Sequence, residues 1–433
     1  MLFVDVHDVG YGECIVFEGA KNEILMVDCG SMNTVLKHSD IKFKDYVVDF
    51  LIPRYRDAHK KNFLLSHFHK DHFCGLKYIL KKEKNYFDSI FIPFPALSKD
   101  NRALTLEMAI YAFVFLKRQQ ACSVMSTSAL FIFEFLWKNS CESKIIPLKR
   151  NDFFEFSGTN YRVLNPFEAN FPFSQNFLDI VDNLDDLLAN SLPAEFVNKF
   201  FYWRNLFCQE YLKCCELCRV CKSFSDERIT QTIDKLNSCA VELNNLSRNL
   251  ACPDVFDEIV AILNDENTRM EYSIAQNSSC IVFQNEPKNF SDCANILMTG
   301  DVSSEILNLL ENDLFQGYNI IKVPHHGTKN YQSSLLNRLP CSHMLISNGE
   351  YHAGGKISVE YAQNSAIKHC TSHEICEYFS KNNSCCNRLL FCDSLGKNGA
   401  LTSRCKKNSL SFTQNSCSIY LISGLNNNGC FCD

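Results

Sequence analysis

Apolar and polar positions along this chain follow two rhythms, and the places where one gives way to the other divide it. Short apolar or alternating runs at Leu2-Phe3-Val4-Asp5-Val6, Ile24-Leu25-Met26, Asn62-Phe63-Leu64-Leu65 and Ser89-Ile90-Phe91-Ile92-Pro93 predict strands. Leu104 to Gln120 and Ser126 to Lys138 then read as helices by length and by the lack of turn residues, with apolar faces broad enough to require burial. Strand signal returns at Phe154-Glu155-Phe156 and Tyr161 to Pro166. Beyond it, Phe196, Phe200, Trp203, Phe207, Tyr211, Cys214, Cys218 and Cys221 recur at steps of three or four, the stripe of one long helix. After a break at Ser223 to Asp226, a second stripe runs through Ile229, Ile233, Leu236, Ala240, Leu243 and Leu250, so the pair predicts an antiparallel helical hairpin. Pro193 suits a first helical turn. Past residue 354 short strands such as Leu389 to Cys392 and Cys417 to Ser423 alternate with Asn, Ser and Gly turns, and they are expected to complete a second sheet.

Composition narrows the class. With 433 residues, 46% hydrophobic and 12% aromatic, the chain can bury a large core and is not a disordered protein. Its longest apolar runs, Ala109 to Leu116 and Ala129 to Trp137, fall short of the ~18–20 residues that span a bilayer, so no transmembrane helix is predicted. The amino terminus enters a core strand without a basic and apolar leader, which points to a cytoplasmic location. Most of the 24 cysteines then read as reduced thiols. Cys214, Cys215, Cys218 and Cys221 invite a structural metal or iron–sulfur reading, but a straight helix aligns such side chains in a row, and core packing is the favoured reading. Cys385-Cys386 and Cys430-Phe431-Cys432 show no partner pattern.

The densest chemistry lies in Ser66-His67-Phe68-His69-Lys70-Asp71-His72, where three imidazoles and a carboxylate fall within six positions. In extended backbone His67 and His69 share a side, and a turn after Lys70 brings Asp71 and His72 round to them. Such donors suit Zn²⁺, one ion or two, while Mn²⁺ and Fe²⁺ accept the same atoms. The preceding strand places these ligands on a loop at its carboxyl end.

His67-x-His69-x-Asp71-His72 resembles the signature of the metallo-β-lactamase superfamily of hydrolases. Further stretches match in the expected order: Val27-Asp28-Cys29-Gly30-Ser31, Leu297-Met298-Thr299-Gly300-Asp301 and Val323-Pro324-His325-His326-Gly327-Thr328. Asp5-Val6 through Val9-Gly10-Tyr11-Gly12-Glu13-Cys14, together with Asn277-Ser278-Ser279 before an apolar strand, is similar to the ComEC-like branch, named for the DNA-uptake channel. The resemblance implies an α/β fold, a four-layer αββα sandwich with helical insertions. Its core would comprise 1–95, a strand pair at 146–166, 271–354, and terminal strands over 355–433, interrupted by insertions at 96–145 and at 167–270, the latter holding the hairpin. It implies metal ligation by His67, His69, Asp71, His72, Asp301 and His326, with Asp301 bridging two ions and Asp28 orienting an imidazole. Catalytic roles fall to Asp71, Asp301 and His325, the last as proton donor or phosphate contact, although the two paired histidines could exchange roles. Asn277, Ser279 and His352 are expected around the ligands, and Thr328 and Lys329 as contacts to an anionic substrate. One departure stands out: no histidine lies between His72 and His325, where many superfamily members place a further ligand, and the Asn277 region occupies that place.

The implied function is metal-dependent hydrolysis of a phosphodiester in nucleic acid, DNA favoured over RNA. A small-molecule phosphoester or ester hydrolase uses the same ligands, and a third reading makes the chain a component of a larger defence or signalling complex that meets a protein partner through its helical insertion. A net charge of −6 requires any nucleic-acid site to be a local basic patch. His59-Lys60-Lys61 and Lys81-Lys82-Glu83-Lys84 are the candidates, though such runs commonly form solvated surface.

Overall fold

Period-two alternation sorts the strand residues onto two faces. In β3 (Glu23–Val27), Leu25 and Val27 join one apolar cluster while Ile24 and Met26 join another. The same split holds in β7 (Ser89–Pro93), where Phe91 opposes Ile90 and Ile92. It recurs in β14 (Cys341–Ile346), where Leu345 opposes Met344 and Ile346. The computed structural model describes residues 2–19, 21–36, 40–95, 132–167, 171–248, 253–286, 295–348, 357–371, 416–421 and 429–431.

The protein is mixed α/β. Its first sheet has the order β17-β16-β1-β2-β3-β6-β7-β8, built from β1 (Leu2–His7), β2 (Ile15–Glu18), β3, β6 (Lys60–Leu64), β7, β8 (Lys144–Leu148), β16 (Ser416–Leu421) and β17 (Gly429–Phe431). The second has the order β15-β14-β13-β12-β11-β10-β9, with β9 (Phe153–Phe156), β10 (Thr159–Asn165), β11 (Val282–Asn285), β12 (Ile296–Met298), β13 (Tyr318–Lys322), β14 and β15 (Ile367–Cys370). A two-stranded ribbon, β4 (Val35–Leu36) with β5 (Ile41–Lys42), stands apart. Each sheet changes from antiparallel to parallel pairing part-way across: β3, β6, β7 and β8 run parallel in the first, and β12 to β15 in the second.

The two sheets meet through one apolar cluster in which Val4, Val6, Phe17, Val27 and Leu64 of the first contact Tyr161, Val163, Phe283, Met298 and Ile320 of the second. The outer face of the first sheet is covered by helical turns α1 (Phe43–Tyr46) and α2 (Ile52–Tyr55), by α3 (Lys70–Lys82) and α4 (Ile132–Asn139), and by α5 (Gln175–Ser191), α6 (Ala194–Val220), α7 (Glu227–Arg248) and α8 (Pro253–Asn264). On the outer face of the second lie α10 (Ser304–Leu309), α11 (Ser334–Arg338) and α12 (Val359–Gln363). Between the groups comes α9 (Glu266–Ser278), so helix continues past residue 270 and includes Asn277 and Ser278.

The hairpin takes the expected form. Phe196, Phe200, Phe207, Tyr211, Cys214, Cys218 and Cys221 of the first stripe are buried, as are Ile229, Ile233, Leu236 and Leu243 of the second. Arg219 ties it to the first sheet through Asp152 and the Pro147 carbonyl. One expectation is corrected: β16 does not complete the second sheet but pairs antiparallel with β1 in the first, Leu421 opposite Leu2 and Ser416 opposite His7. Backbone pairing at a sheet edge chose its place, which local alternation does not encode. Leu104 to Gln120, Leu389 to Cys392, His352 and Cys385-Cys386 lie outside the described residues. Among the described residues no helix is long and apolar enough to cross a membrane.

Candidate metal centre

Parallel strands deliver their loops to one end, and the carboxyl ends of β3, β6, β12, β13 and β14 carry Asp28, Ser66 to His72, Asp301, His325-His326 and Ser347. Close approach is needed to bring them together. A Cβ on Gly30 would lie 2.3 Å from the Asp71 carbonyl carbon, so only glycine lets the loop after β3 press against the start of α3. His325 and His326 both sit in the left-handed region, at φ 45° and 57°, a strained pair held by its surroundings. The next residue, Gly327, is also left-handed, and a Cβ there would lie 3.0 Å from Ile346.

Hydrogen bonds on the far side of each ring fix which nitrogen faces the centre. Asp28 accepts from the Ser66 amide (2.7 Å) and hydroxyl (2.6 Å), and its Oδ2 lies 2.8 Å from His72 Nδ1. A carboxylate only accepts, so the His72 Nδ1 carries the proton and Nε2 is turned inward. With its own proton on Asp28, the Ser66 hydroxyl accepts from His67 Nδ1 at 3.0 Å. His67 Nε2 is thereby left bare, and it is buried without a hydrogen-bond partner. His326 Nδ1 donates to the Ser347 carbonyl at 2.8 Å, aligning its Nε2 in the same way.

Inward-facing atoms converge with acids. His72 Nε2 lies 3.1 Å from Asp301 Oδ2, and His326 Nε2 lies 3.3 Å from that oxygen and 3.2 Å from Asp71 Oδ2. Among the described residues one group of His, Cys, Asp and Glu side chains offers ligand atoms all within 4.8 Å of one another: Glu13, His72, Asp301 and His326. Glu13 is also held by the buried Lys322 ammonium at 2.7 Å, and Asp71, beside this group, meets His326 directly at 3.2 Å. Lys322 also contacts Asp301 Oδ1 at 3.1 Å and the Gly300 carbonyl at 2.6 Å, which leaves Asp301 Oδ2 for the imidazoles.

The electrostatics follow from three buried carboxyl groups and the partly exposed Asp71 around two imidazoles and one ammonium. Burial alone would push His72 and His326 down, but Asp301, with Asp28 for His72 and Asp71 for His326, outweighs it: His72 is raised well above the usual range and His326 to about 9. Burial likewise raises Asp71 and Asp301, and the facing imidazoles win, holding both below the usual carboxylate range. Glu13 is pushed up by burial. Protons on two ring nitrogens thus stand where a divalent cation would balance the same acids. Donor pairs bonded to one ion at about 2.1 Å lie roughly 3–3.4 Å apart, the spacing of these acid–imidazole pairs. Glu13, His72, Asp301 and His326 thus form a buried group that could hold a metal ion, with Asp71 beside it against His326.

His67 and His69 flank this group, with ring centroids 4.6 Å apart and the His67 ring 4.2 Å from that of His72. His69 Nε2 meets Gln276 Oε1 at 2.8 Å. His325 stacks on Tyr331 with centroids 3.8 Å apart, and Tyr331 accepts from Asn277 at 3.0 Å, so Asn277 acts on the site through Tyr331. Burial lowers His325 to about 4. Thr328 Oγ1 donates to the His325 carbonyl and accepts from its Nδ1 at 2.7 Å, which leaves Nε2 as an acceptor.

The other residues singled out from the sequence are placed as follows. Thr328 is buried and its hydroxyl is engaged by His325. Ser279 caps its own helix by donating to the Gln276 carbonyl. His59-Lys60-Lys61 lies at the amino end of β6, opposite the site, with the Lys61 ammonium on the Arg56 and Ala58 carbonyls; Lys81 and Lys82 lie in the last turn of α3, whose first turn holds the ligands. Lys70 in that first turn and the exposed Lys329 are nearer cations. Residues not singled out for the site from sequence include Ser66, Lys322, Tyr331 and Gln276. A lysine inside the apolar run Ile320-Ile321-Lys322-Val323 was the one available signal.

No protein-family model matches the chain, and no curated protein sequence matches it.

Proposed function

We propose that the chain is a metal-dependent hydrolase that cleaves phosphodiesters, with nucleic acid as substrate class and DNA favoured. In this reading the two sheets and their helical coverings form the four-layer αββα sandwich of the metallo-β-lactamase type with helical insertions, of the ComEC-like branch. The observation that carries it is the meeting of Asp71, His72, Asp301 and His326, drawn from three separate segments, with a buried, unpartnered His67 Nε2 beside them. A cytoplasmic location belongs to the same reading, with Cys14, Cys29, Cys74 and Cys280 among the cysteines present as free thiols.

When bound, an ion of this class polarises a phosphoryl oxygen and acidifies water. The chain's own residues do the rest. Asp28 and Ser66 hold His67 and His72 in the tautomer that presents a bare Nε2. Lys322 fixes one Asp301 oxygen so that the other faces the imidazoles. His325, neutral and braced by Tyr331 and Thr328, is suited to take a proton at Nε2.

The test is a panel in which protein loaded with Zn²⁺ or Mn²⁺ meets single-stranded DNA, duplex DNA, RNA and bis-p-nitrophenyl phosphate, beside Asp301→Ala. Cleavage of DNA and of the small diester, lost in the variant, is expected. Stoichiometric metal with no diester cleaved would overturn the reading in favour of an ester hydrolase or a binding component.

A further inference from the structure

The centre has two unlike halves. Asp71, His72, Asp301 and His326 pair acids with imidazoles, whereas among the described residues His67 and His69 have no carboxylate in hydrogen-bond contact, and Gln276 of α9 meets His69. We propose that Gln276 is the third side chain of the His67/His69 half, which makes it a neutral, exchangeable cation position beside a retentive acidic one. This rests on the proposed metal centre.

Two independent observations support it. His67 Nε2 is a lone pair buried without a partner, the state of a ligand atom aimed at a position that something else fills. Separately, Gln276 Oε1 lies 2.8 Å from His69 Nε2, and its orientation is set because the amide nitrogen donates to the Tyr272 hydroxyl at 2.9 Å. An amide oxygen accepts only, so in the ion-free protein a proton on His69 Nε2 fills the contact that a cation would take. The backbone that carries Gln276 is anchored: Asn165 donates to the Ser278 and Cys280 carbonyls at 2.9 and 2.7 Å, and Glu271 accepts from Ser174 at 2.6 Å. Two neutral imidazoles and an amide oxygen bring no charge to a divalent ion, so they hold it more weakly than two acids and two imidazoles do. Amide oxygen also suits Mn²⁺ better than it suits Zn²⁺, which makes this the position where Mn²⁺ would enter.

Wild-type, Gln276→Ala and Gln276→Glu proteins, loaded with Zn²⁺ and passed through gel filtration, would be analysed for bound Zn²⁺. Each would then be titrated with Mn²⁺, its uptake read from loss of the free-ion electron paramagnetic resonance signal. Wild type should retain one Zn²⁺ and take up one Mn²⁺ reversibly. Gln276→Ala should keep the Zn²⁺ and bind Mn²⁺ about tenfold or more weakly. The isosteric Gln276→Glu, which adds a charge without altering shape, should tighten Mn²⁺ binding, a gain that a purely structural glutamine would not yield. Mn²⁺ uptake unchanged in both variants overturns the proposal while the retained Zn²⁺ leaves the parent reading standing. Absence of retained Zn²⁺ in all three overturns the parent reading and this one with it.

Discussion

Two segments of this chain are crowded with metal-binding residue types, and they behave oppositely. Residues 67 to 72 lie on a loop and a first helical turn at the ends of parallel strands, and their side chains meet an aspartate and a histidine from distant segments. Cys214, Cys215, Cys218 and Cys221 lie on or just past a long helix, and burial pushes the Cys215 thiol well above its ordinary range while Cys214 and Cys218 hydrogen-bond each other. Those sulfurs pack with Phe207 and Tyr211 as small apolar groups. Density of donors is therefore not chemistry. A helix fixes its side chains along a line, and a turn at converging strand ends aims them at a point.

The sharpest way to break this contrast is to remove one donor from each segment. Asp301→Ala should reduce metal retained through gel filtration to background and abolish hydrolysis, whereas the Cys214→Ala/Cys218→Ala double variant should leave both as in wild type. Metal lost from the cysteine variant would reverse the assignment. Next in size, Phe207→Ala should destabilise the protein by about 3–5 kcal/mol in denaturant unfolding through the cavity it opens, with metal content unchanged. A cost below about 1 kcal/mol would show that the hairpin rests loosely on the core.

Protonation offers an intermediate effect. In chelated protein the folded-state pKa of His326, about 9, lies above its ordinary 6.5. Its proton therefore stabilises the fold fully below pH 6.5, and that contribution, up to about 3 kcal/mol, is lost as pH rises through 9. Metal-loaded protein should lack this decline, because the cation replaces the proton. Melting temperatures across pH 6 to 9.5, with and without chelator, check it, and two parallel curves would contradict the account. The smallest effect belongs to Asp28→Asn, which keeps an acceptor for the Ser66 amide but loosens the His72 tautomer. It should weaken metal binding about 10- to 100-fold with little change in melting temperature.

Much of this was legible in the chain because strands and helices announce their period. The hairpin stripes, β3, β6 and β7 follow from alternation and spacing, and the His67 to His72 cluster from the density of its donors, whereas Asp28, Asp301 and His326 came from the resemblance to the metallo-β-lactamase signature. What stayed hidden depends on tertiary placement. Lys322 looks like an ordinary charge near a strand end until the alternation with Ile320 sets it between the sheets, against Glu13. Gln276 belongs to no recognised ligand pattern, and only the route of α9 brings its amide to His69. Ser279 came from the Asn-x-Ser resemblance and Thr328 from its place in the polar loop after the paired histidines, and their hydroxyls bond locally to backbone and ring.

The clasp between β1 and β16 has a consequence for how the polypeptide matures. Residues 2–7 stand beside an open edge until residues 416–421 have been synthesised, because Val4 and Val6 lie opposite Ile419 and Cys417. Closure over so long an intervening stretch is entropically slow, and during that interval the unpaired rim of β1 is a template for wrong partners. Ribosome-bound nascent chains would therefore be the form most dependent on chaperones.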